Sequence, residues 1–462
     1  QSGHVVTLTS QAGIGNLTIE SGATLKSSVS AYTASPIVLS IGKASSVIRN
    51  NGIFGCEIGS VAGTVGDGIA LSLSPNVVSF SLQGTGNTGI GSLYAEASSN
   101  NLAVVIDQNV QFRRTTSSGK HTALSLVAPS GTAFTGSRTL VVSAGKTVSF
   151  LNEYSCLHGT AFSSAGSYSE QQGNITYDIQ GTLDLKGGNV YITSSSSAAS
   201  AAQVVKINVG AAGKIIAGGD FNICKVQASQ AVYVNLEDGA LLDASDAAIA
   251  KTSFFGPSTN ATSGYGANYC WIITNGAAKY KRWVGNTARI FNVAVAPADG
   301  DYVNLKANPV SIATTINQTD LYTVNVNVGH PYPITSFSES ASINRSWSIK
   351  QEREVPLGTT LKFGFTGGTT DANAAYSPTY PAVSGSAESY ENISGTTIAA
   401  GATNLYVYNG LTGYWTSYNL IGSSTPVAGT FGTAWEVNFG VGTFFAPYLF
   451  TFRNTGAPLI CQ

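Results

Sequence analysis

The sequence predicts an all-β protein in which a right-handed parallel β-helix, over residues 1–286, is followed by an antiparallel β-sandwich, over residues 287–462. Two patterns predict these parts: a coil repeat marked by Gly or Asn in the first, and short strands of alternating apolar and polar residues in the second. Composition agrees with both, because only 10% of the 462 residues are charged while 43% are hydrophobic. Ser, Thr, Asn and Gly, which suit turns and exposed strand faces, take the place of charged residues.

The coil repeat is clearest from Tyr177 to Ala247, where an apolar residue, a Gly and a second apolar residue recur at short gaps. Ile179, Gly181 and Leu183 form one such unit. One unit cannot bury its apolar side chains alone, but stacked units can, so the chain is predicted to wind into a solenoid. The marker Gly and Asn residues are expected at corners with positive φ. The other units are Ile19–Gly22–Leu25, Leu73–Asn76, Ile106–Asn109–Phe112, Val142–Gly145–Val148, Val209–Gly213–Ile216 and Leu236–Gly239–Leu242.

Residues 252–286 interrupt this repeat with aromatic and basic side chains. One hypothesis is an aromatic cap that closes the end of the β-helix, because an uncapped end would expose unpaired strand edges. The other is a binding patch for an anionic or sugar ligand, which would use stacking and cation–π contacts. The candidate patch residues are Trp271, Lys279, Tyr280, Lys281, Arg282 and Trp283.

Charge and hydropathy exclude two kinds of partner. The net charge of -1 leaves no general basic surface for nucleic acid. No apolar run approaches the ~20 residues that span a bilayer, so membrane insertion is not expected. The chain begins at Gln1 and contains no Met, which indicates a mature secreted protein without its signal peptide. The expected location is therefore extracellular or on the cell surface.

The five cysteines are too far apart in sequence to form a CxxC-type metal or redox motif. An odd number in an exported chain leaves one thiol over. Cys461, near the end, is the candidate for a disulfide to a neighbouring subunit. The alternatives are a bond within its own domain or a reduced thiol.

No catalytic, cofactor-binding or metal-ligating constellation is recognised in the sequence. The four histidines are isolated and are expected at the surface or in turns. Asp184 and Asp243 come nearest to the carboxylate pair that polysaccharide-cleaving enzymes use. Their distances from their coil glycines differ by one residue, so strand alternation predicts that they face opposite sides. The protein is therefore predicted to be non-enzymatic and to need no cofactor.

Alternating segments such as DLYTVNVNV and AWEVNFGVG predict antiparallel strands with one buried face in the second part. Four segments there, RSWSI, TTLKFGFTGG, NLYVYNGLTGYWTSYN and GTFFAPYLFTFRNTGAPL, resemble the carboxy-terminal sandwich of large surface proteins that Bacteroidota export by type IX secretion. GNLTIESGATL, near the start, is similar to the opening coil of β-helix proteins in that group. The resemblance implies a secreted surface protein, and its motifs are structural rather than catalytic. The residues that carry it are Trp347, Tyr406, Gly410, Trp415, Phe445, Pro447 and Pro458.

These observations favour a structural subunit of an extracellular filament, sheath or surface assembly, with copies of itself as its partner. Either terminal segment, Gly3 to Ser10 or Tyr448 to Arg453, is expected to add as a strand to the next subunit. Such a head-to-tail contact does not close on itself and so builds a fibre. Two alternatives stay open: a surface adhesin that binds glycans through the aromatic-basic segment, and a polysaccharide lyase or hydrolase.

Overall fold

The computed structural model describes the chain in segments, and every statement below concerns these residues. They are 3–29, 36–60, 68–96, 101–113, 121–127, 136–152, 155–158, 173–193, 202–219, 221–224, 230–245, 271–287, 289–297, 300, 302, 308, 310–314, 319–328, 345–352, 357–364, 403–409, 414–418, 434–442 and 448–454. Within them the secondary structure is all β, as predicted, with 37 strands and no helix.

The strands of the first part of the chain are short, and most span three to six residues. In chain order they are β1 (Val5–Leu8), β2 (Ala12–Ile14), β3 (Leu17–Ile19), β4 (Thr24–Ser27), β5 (Ile37–Ile41), β6 (Ser45–Asn50), β7 (Ile53–Gly55), β8 (Ile69–Leu73), β9 (Ser79–Gln83), β10 (Asn87–Ile90), β11 (Ser92–Ala95), β12 (Leu102–Asp107), β13 (Val110–Phe112), β14 (His121–Ser125), β15 (Ser137–Val142), β16 (Thr147–Phe150), β17 (Ser155–Leu157), β18 (Asn174–Ile179), β19 (Thr182–Asp184), β20 (Asn189–Thr193), β21 (Val204–Val209), β22 (Lys214–Ile216), β23 (Phe221–Cys224), β24 (Ala231–Leu236) and β25 (Leu241–Ala244).

The later strands include longer ones. They are β26 (Trp271–Thr274), β27 (Lys279–Val284), β28 (Arg289–Phe291), β29 (Val293–Ala294), β30 (Val310–Thr314), β31 (Asp320–Val328), β32 (Arg345–Gln351), β33 (Leu357–Gly364), β34 (Thr403–Asn409), β35 (Tyr414–Tyr418), β36 (Ala434–Gly442) and β37 (Tyr448–Asn454).

The first compact unit comprises Gln1–Val232, Ala240–Ala248 and Phe254–Ser258. In it most strands pair in parallel with the strand three places further along the chain, which gives three long sheets. We call them sheet A (β1-β4-β7-β10-β13-β16-β19-β22-β25), sheet B (β2-β5-β8-β11-β14-β17-β20-β23) and sheet C (β3-β6-β9-β12-β15-β18-β21). One strand from each sheet makes a coil, so that β1–β3 form the first coil and β4–β6 the second. This pairing is compatible with a β-helix or solenoid-like fold.

Stacked apolar rows hold the coils together. On sheet C the paired residues Ile48, Leu82, Ile106, Val142 and Ile179 lie at one register on successive coils, and each is almost completely buried. Burying each such side chain contributes roughly 1.5–3 kcal/mol, an upper estimate because unfolded chains already bury some surface. The alternate residues of the same strands face outward, which explains the period-2 pattern of the sequence.

The marker residues of the repeat stabilise the corners between strands in different ways. Gly22 and Gly145 have φ of 78° and 73°, as predicted for corners. Gly181 does not have positive φ; a side chain there would bring its Cβ within 2.2 Å of the Lys146 carbonyl oxygen. Asn109, Asn76 and Gly213 do not have positive φ either, so that prediction was wrong for these four residues.

Asparagine side chains join several of the coils to the next. The Asn109 side-chain carbonyl accepts a hydrogen bond from the Thr147 backbone N–H at 2.9 Å. The same bond joins one coil to its neighbour at Asn16 (to Val47 N, 3.0 Å), Asn101 (to Ser137 N, 2.8 Å) and Asn174 (to Val204 N, 2.8 Å). Asn recurs in the repeat because its amide satisfies backbone N–H groups at the corners.

The second compact unit comprises Tyr233–Gly239, Ile249–Ser253 and Thr259–Gln462. Its parallel part joins β24, β26 and β29. Two antiparallel sheets follow, in the orders β27-β31-β32-β37-β34-β35 and β28-β30-β33-β36. The predicted strands DLYTVNVNV and AWEVNFGVG coincide with β31 and β36.

Side chains of the two antiparallel sheets meet in a buried layer. The rings of Trp347 and Phe363 lie 5.2 Å apart, edge to face. The hydroxyls of Tyr322 and Thr359 are 3.1 Å apart. Because β27 pairs with β31, residues 271–286 belong to this unit, whereas the sequence had placed them in the β-helix. Most of the predicted aromatic cap, residues 252–270, lies outside the described residues.

Candidate functional site

The first coil is the open end of all three parallel sheets. β1, β2 and β3 pair with β4, β5 and β6 on one side. On the other side none of the described strands is their neighbour. Open strand edges present unpaired backbone N–H and C=O groups, which are a template for another strand.

The core is uncovered at this end. Val6, Leu25 and Phe54 lie at one register of sheet A. Their exposed fractions fall from 55% through 8% to 0% along the stack. Val6 therefore occupies a core position that no further coil of the described residues covers. Its neighbour Val5 is 59% exposed, and both belong to the few large apolar residues that the described surface exposes.

The other two sheets end in the same way. Ile14 pairs with Ile41 on sheet B, and Leu17 pairs with Ile48 on sheet C. Ile14 and Leu17 are half-buried, whereas Ile41 and Ile48 are fully buried. The first coil thus presents an apolar cross-section bordered by open strand edges.

No charge protects these edges. The sequences of β1, β2 and β3 are VVTL, AGI and LTI, without a charged residue or a proline. Monomeric β proteins commonly place Lys, Pro or a bulge on such edges to prevent association. The uncharged strands of the first coil instead favour pairing with another uncharged strand.

The six residues of the predicted ligand patch do not share one surface. On β27, Tyr280 and Arg282 are buried while Lys279, Lys281 and Trp283 alternate with them on the more exposed face. Trp271 is buried on β26.

The buried residues of the patch are engaged in packing. Arg282 donates a hydrogen bond to the Ile290 carbonyl at 2.8 Å, and its guanidinium carbon lies 5.9 Å from the centre of the Phe291 ring. Burial raises the pKa of Tyr280 above its ordinary value. This half of the patch therefore stabilises the layer between the two antiparallel sheets.

The more exposed residues of β27 lie near a small cluster of charged side chains. Lys281 is paired in register with Thr323, and Thr323 with Lys350. Glu352 accepts a hydrogen bond from the Thr323 hydroxyl at 2.7 Å and lies 3.5 Å from the Lys350 ammonium. Partial burial raises the pKa of Glu352, but the Thr323 bond and the two lysines outweigh it and hold this pKa below its usual value.

Asp184 and Asp243 share one side of sheet A, so the expectation that they face opposite sides was wrong. Asp184 is in register with Ile216, and Ile216 with Asp243. Counting from the coil glycines failed because the corners differ in length. Two strand spacings separate the two backbones by about 10 Å.

Each of the two carboxylates has partners of its own. Asp184 lies 3.1 Å from the Lys186 ammonium, and Asp243 lies 3.9 Å from that of Lys214. Each also accepts a 3.1 Å hydrogen bond from the backbone N–H two residues further on. Their positions are accounted for by turn formation and ion pairing.

Sequence reasoning missed a polar cluster inside the first unit. Arg138 is buried and donates hydrogen bonds to the carbonyls of Leu126 (2.5 Å) and Glu96 (2.7 Å). Burial lowers the pKa of Arg138 to about 10. The phenol of Tyr177 lies 2.9 Å from Nδ1 of His158, and burial raises the pKa of Tyr177.

The position of Arg138 could have been found from its strand. In SRTLVV it stands in phase with the inward Leu140 and Val142. His158 lies in a bend with φ of 75° and is 1% exposed, so it fits the expected turn position but not the alternative of a surface position.

Cys56 and Cys156 are buried in the first unit. Cys461, the predicted intermolecular cysteine, lies outside the described residues. Across the described segments, no group of three or more His, Cys, Asp or Glu is placed to hold a metal ion. The described part of the chain also contains no helix that is long and apolar enough to cross a membrane.

Comparisons of the chain with protein-family models, curated proteins and solved structures found no match.

Proposed function

We propose that this protein is a non-enzymatic structural subunit of an extracellular filament, sheath or cell-surface assembly. The observation that carries the proposal is the open, apolar and uncharged end formed by β1, β2 and β3. In a polymer this end is covered by the next subunit, which buries Val6, partly covers Val5 and supplies partners to the free strand edges.

Of the two segments expected to make this contact, only one keeps a free edge. Tyr448 to Arg453 lies in β37, which is paired with β32 on one side and β34 on the other. It cannot add to another subunit without leaving its own sheet, so that expectation was wrong. Gly3 to Ser10 contains β1, which has one paired edge and one open edge among the described strands.

The opposite contact of the polymer is an edge strand of the second unit, and β35 fits it best. β35 and β36 both end their antiparallel sheets. The β35 sequence YWTSY has no charge, whereas β36 carries Glu436. Charged residues on edge strands are a common device against the addition of another strand, so the uncharged β35 is the better partner.

The finer architecture is part of the same proposal. The coils wind with a right hand, as parallel strand connections nearly always do, and the two antiparallel sheets form a sandwich. The three parallel sheets and the aromatic contacts between the antiparallel sheets support it. Secretion to the cell surface is supported by the low charge and by the resemblance to exported surface proteins.

The substitution Val6→Lys tests the proposal. It places a charge at the centre of the open end while β1 stays in place. Deleting β1 would be a poorer test, because its neighbour β4 would then form a new open edge. Filament formation, followed by light scattering and negative-stain electron microscopy, should be abolished. Val204→Lys, on an outward position of β21, is the matched control and should assemble normally. Undiminished assembly of a folded Val6→Lys protein would exclude this end as the contact.

A second pair of variants tests the partner strand. Thr416→Lys puts a charge into the middle of β35, and Asn438→Lys does the same in β36. Only Thr416→Lys should reduce filament formation. The reverse result would assign the contact to β36.

A carbohydrate-binding adhesin is the second candidate. The observation in its favour is that Lys279, Lys281 and Trp283 alternate on the more exposed face of β27. A glycan array should then give a signal that Trp283→Ala removes. An array without any binding would eliminate this candidate.

A further inference from the structure

The outward face of β6, β9 and β12 carries a small array of side chains, which we call the nine-residue grid. These strands are neighbours on sheet C in the second, third and fourth coils, and their outward residues are in register. Ser79 donates a hydrogen bond to the Ser45 hydroxyl at 3.0 Å, which confirms that the two share a face. The grid consists of Ser45, Val47 and Arg49 on β6, Ser79, Ser81 and Gln83 on β9, and Ala103, Val105 and Asp107 on β12.

The grid has the symmetry of a self-complementary surface. One of its rows is Arg49, Gln83 and Asp107, with opposite charges on either side of an amide. The next row is Val47, Ser81 and Val105, which reads the same in both directions. A half-turn about a line along β9 exchanges β6 with β12, so it brings Arg49 onto Asp107 and Val47 onto Val105.

The polar row of the grid, which consists of Arg49, Gln83 and Asp107, has no partner among the described residues. No hydrogen bond or ion pair between described residues involves the side chains of Arg49, Gln83 or Asp107. Arg49 and Asp107 stand two strand spacings apart, about 10 Å, which is too far for an ion pair between them. All three side chains are therefore available to another molecule.

We propose that the grid binds the grid of a second copy of this chain, face to face and with the coil stacks antiparallel. In this contact Arg49 of each copy meets Asp107 of the other, so two ion pairs form. The amides of the two Gln83 residues meet on the two-fold axis, and Val47 packs on Val105. A contact that uses the same patch on both copies is isologous and closes on itself.

The contact is distinct from the end-to-end one and joins subunits side by side. The grid measures roughly 10 Å by 13 Å, which is far below the area of a stable interface. Each contact is therefore weak, but a row of them along two neighbouring polymers would add by multivalency. The end-to-end contact lengthens a filament, and the grid pairs it with an antiparallel neighbour.

Cysteine cross-linking tests the geometry in the soluble subunit, whether or not it polymerises. Gln83→Cys places a thiol on the two-fold axis, so mild oxidation should give a covalent dimer. Lys206→Cys, outward on β21 of the same sheet, is the control and should stay monomeric under the same conditions. All cysteine variants carry Cys461→Ser, because Cys461 is itself a candidate for an intermolecular disulfide. Arg49→Cys and Asp107→Cys should not cross-link alone but should cross-link when mixed, because the axis brings those positions together.

Charge reversal tests the recognition. Arg49→Asp or Asp107→Arg alone puts like charges face to face and should reduce the cross-linking rate of Gln83→Cys about tenfold. The double reversal Arg49→Asp/Asp107→Arg should restore the rate. An equimolar mixture of the two single reversals should also restore it, because opposite charges then meet at both ends of the grid. Lys206→Asp controls for the change in net charge and should have no effect.

The proposal fails if Gln83→Cys dimerises no faster than Lys206→Cys, or if neither the double reversal nor the mixture restores the rate. Circular dichroism of each variant establishes that its strands are intact. Loss of filaments in Val6→Lys with normal Gln83→Cys cross-linking would separate this contact from the proposed polymerisation. Normal filaments without the cross-link would overturn the grid contact alone.

Discussion

The first coil and the coils behind it have the same strands in the same register, yet they differ in burial. Val6 and Phe54 stand at equivalent positions on sheet A, but Val6 is 55% exposed and Phe54 is fully buried. A coil is stable only because its neighbours cover its two open sides. The comparison teaches that the terminal coil of a stack always has one side whose apolar residues and strand edges lack a covering neighbour. In a polymer, the next subunit supplies that neighbour. Most of the tests below set a position in a covered coil against a position in the first coil.

The largest difference in the free energy of unfolding is expected between the variants Phe54→Ala and Val6→Ala. Phe54→Ala leaves a cavity in a covered row and should lower the free energy of unfolding by about 3–5 kcal/mol. Val6→Ala should change it by less than about 0.5 kcal/mol in the isolated subunit, because Val6 is largely exposed. Urea unfolding measures both, and equal losses would mean that the first coil is as well packed as the rest.

A smaller difference in stability is expected between the variants Gly181→Ala and Gly13→Ala. A Cβ at Gly181 would lie 2.2 Å from the Lys146 carbonyl oxygen of the preceding coil, which should cost about 1–3 kcal/mol. A Cβ at Gly13, in the first coil, meets nothing within 4 Å, so Gly13→Ala should be neutral or slightly stabilising. Thermal unfolding of the two variants checks this, and a destabilised Gly13→Ala protein would contradict it.

The buried polar cluster predicts a pH dependence that only covered coils can show. The folded-state pKa of Tyr177 is raised, so its contribution to stability is present below about pH 10 and is lost as the pH rises further. Arg138 has the opposite effect, because burial lowers its pKa to about 10 and the cost of burying its charge is relieved above that pH.

The variant Tyr177→Phe isolates the tyrosine contribution. It removes the phenol hydroxyl that lies 2.9 Å from Nδ1 of His158 and should cost about 1–2 kcal/mol at neutral pH. Its unfolding free energy should then fall less steeply than that of the wild type between pH 9 and 11, measured by urea titration at each pH. An unchanged slope would show that Tyr177 ionises equally in both states.

The smallest expected effect is the loss of an inter-coil asparagine bond. Asn174→Ala leaves the Val204 N–H without its side-chain acceptor and should cost about 1 kcal/mol of global stability. Asn16→Ala removes the equivalent bond between the first two coils. It should raise hydrogen exchange in the first coil while leaving global stability nearly unchanged. Equal effects in urea unfolding would show that the first coil unfolds together with the rest.

The sequence by itself determined the strands and the coils of this protein. Apolar alternation identified β31 and β36 at their observed bounds, and the repeat identified corners at Gly22 and Gly145. These features are local, since strand phase and positive φ depend on residues only a few positions apart.

The tertiary structure decided what lies side by side. Register between coils aligned Asp184 with Asp243, divided the aromatic-basic segment between two faces of β27, and brought Arg49 and Asp107 into one row. Among the described strands, it also left β1 with one open edge while it enclosed β37 between two strands. Corner lengths vary along the chain, so counting residues cannot give the register, and only the backbone hydrogen bonds between coils fix it.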